Sequence, residues 1–83
     1  MQVGDNVITC EGDRGRIIAE HIMKSNESEP SCFFVKLEGA VTKLTDFIGV
    51  YNILPGYENS TATFVQKDHL TIDKNQIILN RVG

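Results

Sequence analysis

Four residues of this 83-residue chain have side chains that often bind metals or act as nucleophiles: Cys10, His21, Cys32 and His69. Zinc sites in small domains usually contain a close cysteine pair such as C-x₂₋₄-C, whereas every spacing here exceeds ten residues. A cysteine nucleophile needs a base within reach and a lowered pKa, and no local pattern supplies either. The sequence therefore predicts no metal, no cofactor and no enzymatic activity.

A second set of candidates lies in residues 12–16 (Gly-Asp-Arg-Gly-Arg). The stretch lacks the glycine spacings of phosphate-binding loops. Arg14 and Arg16 flank Gly15, however, and a guanidinium can form two parallel hydrogen bonds with a carboxylate or a phosphate. We interpret Arg14 and Arg16 as contacts with a partner. The alternative is that both arginines are solvated turn residues, paired with Glu11, Asp13 or Glu20.

Tyr51 and Tyr57 lie in an uncharged segment, residues 47–57. Tyrosine is favoured at interfaces because it combines a rigid apolar ring with a polar tip. The two tyrosines are therefore candidates for an apolar anchor in partner binding. The alternative is that this segment plugs one end of the core and the tyrosines cover it.

Composition restricts the class of protein. The chain is 41% hydrophobic and 23% charged with a net charge of −3, which predicts a single folded domain over residues 1–83. The first residues show no signal peptide, and the longest uncharged run is too short to span a bilayer. We therefore expect a cytoplasmic protein with reduced thiols and no membrane contact. The acidic excess lies in residues 1–42, with seven acids against four bases.

Alternating apolar residues and glycine-rich turns predict a mainly β fold of five to six strands. The first hairpin has its turn at residues 11–15 and its return strand at residues 16–23. A polar loop follows at residues 24–31, then a strand at residues 32–37. Later strands are expected at residues 61–65, around residues 65–72 on both sides of a brief turn, and at residues 76–80.

The pattern of residues 41–54 is ambiguous. It is compatible with a strand followed by a loop, or with a short helix that begins after Thr45 or Asp46. Gly49 disfavours a helix by about 1 kcal/mol. We expect a short helical turn or a loop insertion near residues 45–56.

Residues 3–7 (Val-Gly-Asp-Asn-Val) and 12–18 (Gly-Asp-Arg-Gly-Arg-Ile-Ile) resemble the start of SH3-like small barrels, particularly the KOW-type motif. Residues 64–65 and 69–72 are similar to the closing strands of such barrels. The resemblance implies an SH3-like barrel that binds RNA, DNA, ribosomes, RNA polymerase or a protein, without catalysis. It also implies that the first turn makes contacts, which points to Asp13, Arg14 and Arg16.

The leading hypothesis is therefore a binding module that docks on a protein machine of transcription or translation. Because the chain is acidic, a protein partner is expected, and nucleic acid is contacted through that partner or only weakly. One alternative is a small acidic inhibitor or adaptor of the phage accessory type that blocks a host enzyme. Its acidic face would comprise Glu20, Glu27, Glu29 and Glu38. Another is a homo-oligomeric structural protein that pairs through an open strand edge.

Overall fold

The computed structural model describes residues 1–21 and 31–73. These residues form a mainly β fold, as the sequence predicts. The seven strands of the described residues are β1 Asn6–Thr9, β2 Arg14–His21, β3 Cys32–Leu37, β4 Thr42–Lys43, β5 Val50–Tyr51, β6 Thr61–Gln66 and β7 Leu70–Ile72. The predicted strand at residues 76–80 and the predicted loop up to residue 30 lie outside the described residues.

All strand pairs are antiparallel, in the order β4-β6-β3-β2-β1-β7, and β5 pairs with β2. The last described strand, β7, thus returns to the first, β1. A 3-10 turn over Lys67–His69 links β6 to β7, at the position where the sequence predicts a brief turn. The described residues contain seven strands, whereas five to six are expected. Two of the seven, β4 and β5, have only two residues each, which is too short for an alternating pattern to predict them.

The first hairpin differs from the prediction in the position of its turn. The predicted turn at residues 11–15 is wrong at its end, because β2 already begins at Arg14. Thr9 Oγ1 accepts the Glu11 and Asp13 N–H groups at 3.3 and 3.1 Å, and Gly12 has φ +93°. These bonds complete the turn before residue 14, so Gly15 lies within the strand.

Two apolar clusters lie on opposite faces of the sheet. The first contains Val7, Ile17, Phe33, Val35 and Leu70, and the second contains Ile18, Ala19, Phe34, Leu44 and Ala62. A register shift between Ile17 and Ala19 interrupts the alternation of β2. This bulge sends Ile17 to the first cluster and both following residues to the second.

The segment after β4, residues 44–57, covers the second cluster and is called the covering segment below. It begins with a 3-10 turn over Leu44–Asp46 and continues through β5 as an irregular loop, so a short helical turn and a loop are both present. The predicted helix start after Thr45 or Asp46 is wrong, because both residues lie inside the 3-10 turn, whose N-cap is Lys43. A longer helix does not form, because Gly49 and Asn52 have φ values of +79° and +53°. Five of its residues pack against the second cluster: Phe47, Val50, Ile53, Leu54 and Tyr57.

Among residues 1–21 and 31–73, no helix has the length and hydrophobicity required to cross a membrane.

Candidate functional site

A row of polar side chains crosses the sheet beside the second apolar cluster. Arg16 on β2 lies directly opposite Asn6 on β1 and directly opposite Lys36 on β3. Side chains alternate along a strand, so Arg16 shares its face with Ile18, and Lys36 shares its face with Phe34. The segment after β4 covers the apolar part of this face and leaves the polar row exposed.

This polar row forms one side of an open groove of about 360 Å³. Three positively charged side chains line it, together with an aromatic ring and a buried carboxylate; the lining residues are Asn6, Arg14, Gly15, Arg16, Lys36, Tyr57 and Asp73. Lys43 and Lys67 are the other two lysine or arginine residues in the described part of the chain. The groove therefore concentrates positive charge in a protein whose net charge is −3.

The three cations differ in how they are held. Arg14 Nε lies 3.9 Å from Asp73 Oδ2, with the arginine side chain 62% exposed and the aspartate 3% exposed. The Lys36 ammonium donates a hydrogen bond to Thr61 Oγ1 at 2.8 Å. Arg16 is exposed, and no hydrogen bond or ion pair engages its guanidinium within residues 1–21 and 31–73. Arg16 is thus the cation of the groove most available to a ligand.

Asp73 is fixed at the edge of the groove by its backbone. It follows β7 directly, and its N–H donates to the Asn6 carbonyl oxygen at 2.8 Å. This bond extends the β1–β7 pairing by one residue and places the carboxylate beside Arg14.

Tyr57 forms the apolar side of the groove and is half-buried against the second cluster. Its N–H donates to the Leu54 carbonyl oxygen at 3.0 Å, and its own carbonyl oxygen accepts the Ser60 N–H at 3.0 Å. These two turns hold the backbone on both sides of the ring. The tyrosine therefore belongs to the core on one side and to the groove on the other.

The structure divides the five residues predicted to bind a partner. Arg14, Arg16 and Tyr57 all line the groove. Asp13 lies in the first turn and lines a separate depression of about 350 Å³ with Cys10 and His69. Tyr51 does not line the groove. It lies on β5 opposite Glu20 of β2, and it is 57% exposed.

The sequence pattern does not predict Lys36, Asn6 and Asp73 as residues of this site. Lys36 carried a usable signal, because it is the only charged residue in the apolar run Cys32–Leu37. A charge in such a run indicates the position where one face of the strand leaves the core. Asn6 and Asp73 had no comparable signal, since only the strand register brings them to the groove.

The cysteines and histidines do not form one cluster. Within the described ranges, no group of three or more His, Cys, Asp or Glu side chains is placed to hold a metal ion. Cys10 and His69 are neighbours through a backbone hydrogen bond of 2.9 Å. His21 instead contacts the rings of Phe34 and Phe64, with centroid distances of 6.2 and 5.1 Å. Burial raises the pKa of the Cys32 thiol.

Two of the four glutamates of the hypothetical acidic face are described. Glu20 lies opposite Phe33 at one end of the β2–β3 pair, whereas Glu38 follows Leu37 at the other end. Glu27 and Glu29 lie outside the described residues. The described pair therefore does not form a contiguous acidic surface.

Comparisons with models of protein families, with curated proteins and with solved structures found no match to this chain.

Proposed function

We propose that this chain is a non-enzymatic, cytoplasmic SH3-like module of the KOW type, which docks on a protein machine of transcription or translation. The observation that carries the proposal is the groove that joins Arg14, Arg16 and Lys36 with Tyr57. Binding hot spots in protein interfaces are enriched in tryptophan, tyrosine and arginine. The groove supplies two of these types: Arg14 and Arg16 lie on β2, the strand that follows the first turn, and Tyr57 lies between β5 and β6.

The course of the chain supports the SH3-like part of the proposal. Residues 3–7 and 12–18, which resemble the KOW-type motif, lie in and around the β1–β2 hairpin. Of the residues similar to closing strands, residues 64–65 lie in β6, His69 ends the 3-10 turn and residues 70–72 form β7, which pairs with β1. The motif and the closing strands therefore belong to one sheet, as they would in a small barrel.

Charge favours a protein partner over free nucleic acid. Affinity for a nucleic acid backbone grows with the number of phosphates neutralised. The groove offers three cations beside one buried carboxylate, and acids outnumber bases eleven to eight in the whole chain. Nucleic acid is accordingly expected in the captured complex through the partner.

Affinity capture with and without nuclease tests the proposal. The tagged chain is expected to recover RNA polymerase subunits or ribosomal proteins, and nuclease treatment should not release them. Arg16→Glu should lose these partners, because it reverses the available charge of the groove. Lys43→Glu makes the same change outside the groove and should retain them. If the unmodified chain captures no component of transcription or translation, the proposal is overturned.

A further inference from the structure

We infer that the groove binds a short acidic peptide segment of the partner, in extended form, with carboxylates at alternate positions. This inference rests on the proposed function and specifies the partner chemistry at the same site. Three observations carry it: a pair of like charges across two strands, the spacing of two arginines, and an apolar ring beside them.

The first observation is the pairing of Arg16 with Lys36. Residues directly opposite in antiparallel strands have Cβ atoms about 4.5–5.5 Å apart, and like charges at such positions destabilise the sheet. Arg16 and Lys36 occupy such positions, and Arg16 has no anionic partner within the described residues. A carboxylate between the two side chains would remove the repulsion and receive charge-assisted hydrogen bonds from both.

The second observation is the spacing of Arg14 and Arg16. They are two residues apart on β2, so their Cα atoms are separated by about 6.6 Å along the strand. An extended peptide repeats its side chains on one face at the same interval. Two acidic residues separated by one residue therefore match the two arginines, and each guanidinium can hold a carboxylate with two hydrogen bonds.

The third observation distinguishes the groove from a simple cluster of cations. Tyr57 presents an apolar ring beside the arginines and is held by the second cluster. An apolar side chain next to the acidic pair would lose water-exposed surface against this ring. The expected ligand is thus an acidic pair with an adjacent aromatic or aliphatic residue.

A peptide fits this groove better than a nucleic acid strand does. The strong binding of a polyanion requires many neutralised charges along its length, whereas this groove has a volume of about 360 Å³ and contains the Asp73 carboxylate. A short segment with two carboxylates places its charges only where the cations lie. The surrounding acids of the chain then remain outside the contact.

Fluorescence anisotropy with synthetic probes tests the inference. The probe is a short labelled peptide with two glutamates separated by serine, next to a phenylalanine. We expect saturable binding that weakens about tenfold with Arg16→Gln, as the loss of one charge-assisted contact predicts. Lys43→Gln is the matched control and should bind as the unmodified chain does. Circular dichroism verifies that both variants are folded.

Three outcomes would overturn the inference. The first is the absence of binding, the second is equal binding of a peptide with glutamine at both acidic positions, and the third is stronger binding of a labelled oligouridine or oligothymidine. These outcomes leave the proposed function intact if capture still recovers transcription or translation proteins. Peptide binding without such proteins in the capture would instead contradict the proposed function alone.

Discussion

Gly15 on β2 lies against the backbone of Lys36 on β3. A Cβ atom at residue 15 would come within 2.5 Å of the Lys36 carbonyl oxygen and within 2.6 Å of Leu37 Cδ2. Real Cβ atoms do not tolerate such distances, so β2 and β3 would have to separate. The glycine between the two arginines of the groove therefore allows the close approach of two core strands.

Gly15→Ala is expected to destabilise the protein by about 2 kcal/mol, because overpacking against backbone atoms forces a strand to shift. Urea unfolding followed by circular dichroism measures the loss. Gly12→Ala is a comparison variant that separates two causes of destabilisation. Gly12 has open space around it, so any loss there comes from the backbone strain of its φ of +93° and not from overpacking. Equal unfolding midpoints for Gly15→Ala and the unmodified chain would contradict this account.

Phe34→Ala is expected to cost about 3–5 kcal/mol, which is the usual loss for a buried phenylalanine. Phe34 is fully buried, and its ring centroid lies 4.8 Å from that of Phe47 in the covering segment. Phe64→Ala removes the same atoms from a side chain that is 43% exposed, so it should cost less. Thermal unfolding compares the two variants.

If Phe34→Ala does not fold, Phe34→Leu keeps the comparison measurable with an expected cost of about 1–2 kcal/mol. A Phe34→Leu protein that is more stable than Phe64→Leu would refute the assignment of Phe34 to the centre of the second cluster.

The two cysteines should react with thiol reagents at different rates. Cys10 is exposed and Cys32 is half-buried. Burial disfavours the thiolate of Cys32 and raises its pKa, so at a given pH less of this thiol is in the reactive form. In the single-thiol variants Cys10→Ser and Cys32→Ser, a disulfide reagent should modify Cys10 faster. The Cys32 rate should continue to rise at higher pH; equal rates in the folded protein would argue against the described burial.

Arg14→Ala should change the free energy of unfolding by less than about 0.5 kcal/mol. The Arg14–Asp73 pair is long, at 3.9 Å, and the arginine is largely exposed, so solvent screens the attraction. Chemical denaturation measures the effect. Arg16→Ala should instead leave the free energy of unfolding unchanged or raise it slightly, because it removes the like-charge pair with Lys36. A loss above about 1.5 kcal/mol in Arg14→Ala would show instead that this arginine is a structural residue.

The sequence identified the elements of the sheet more reliably than their relative positions. The run Cys32–Leu37 was predicted at its observed bounds, because a short apolar run between polar residues is typical of a buried strand. The covering segment was ambiguous for a physical reason: Phe47, Val50 and Leu54 pack on the core in the irregular conformation that positive φ values at Gly49 and Asn52 impose.

Three of the seven residues that line the groove, Arg14, Arg16 and Tyr57, could be predicted from the sequence. Arg14 and Arg16 are recognisable because they lie next to a turn and because a guanidinium can bind a carboxylate or a phosphate with two hydrogen bonds. Their relation to Lys36 depends on the β2–β3 register, which arises from the packing of Gly15 and the bulge after Ile17. Such long-range constraints are not contained in any local pattern. Tyr51 was grouped with Tyr57 for its residue type, although the chain places it beside Glu20.

The arrangement around β2 also determines how a ligand can be recognised. One edge of this strand is hydrogen-bonded to β3, and the other edge is hydrogen-bonded first to β1 and then to β5. With both edges occupied, a bound peptide cannot extend the sheet as an added strand at this position. Recognition must then proceed through side chains above the sheet, so β2 forms no backbone hydrogen bonds with the amide groups of the ligand. A ligand with proline or N-methylated residues between its acidic positions would therefore be accepted, and mimics without a peptide backbone become suitable ligands for this groove.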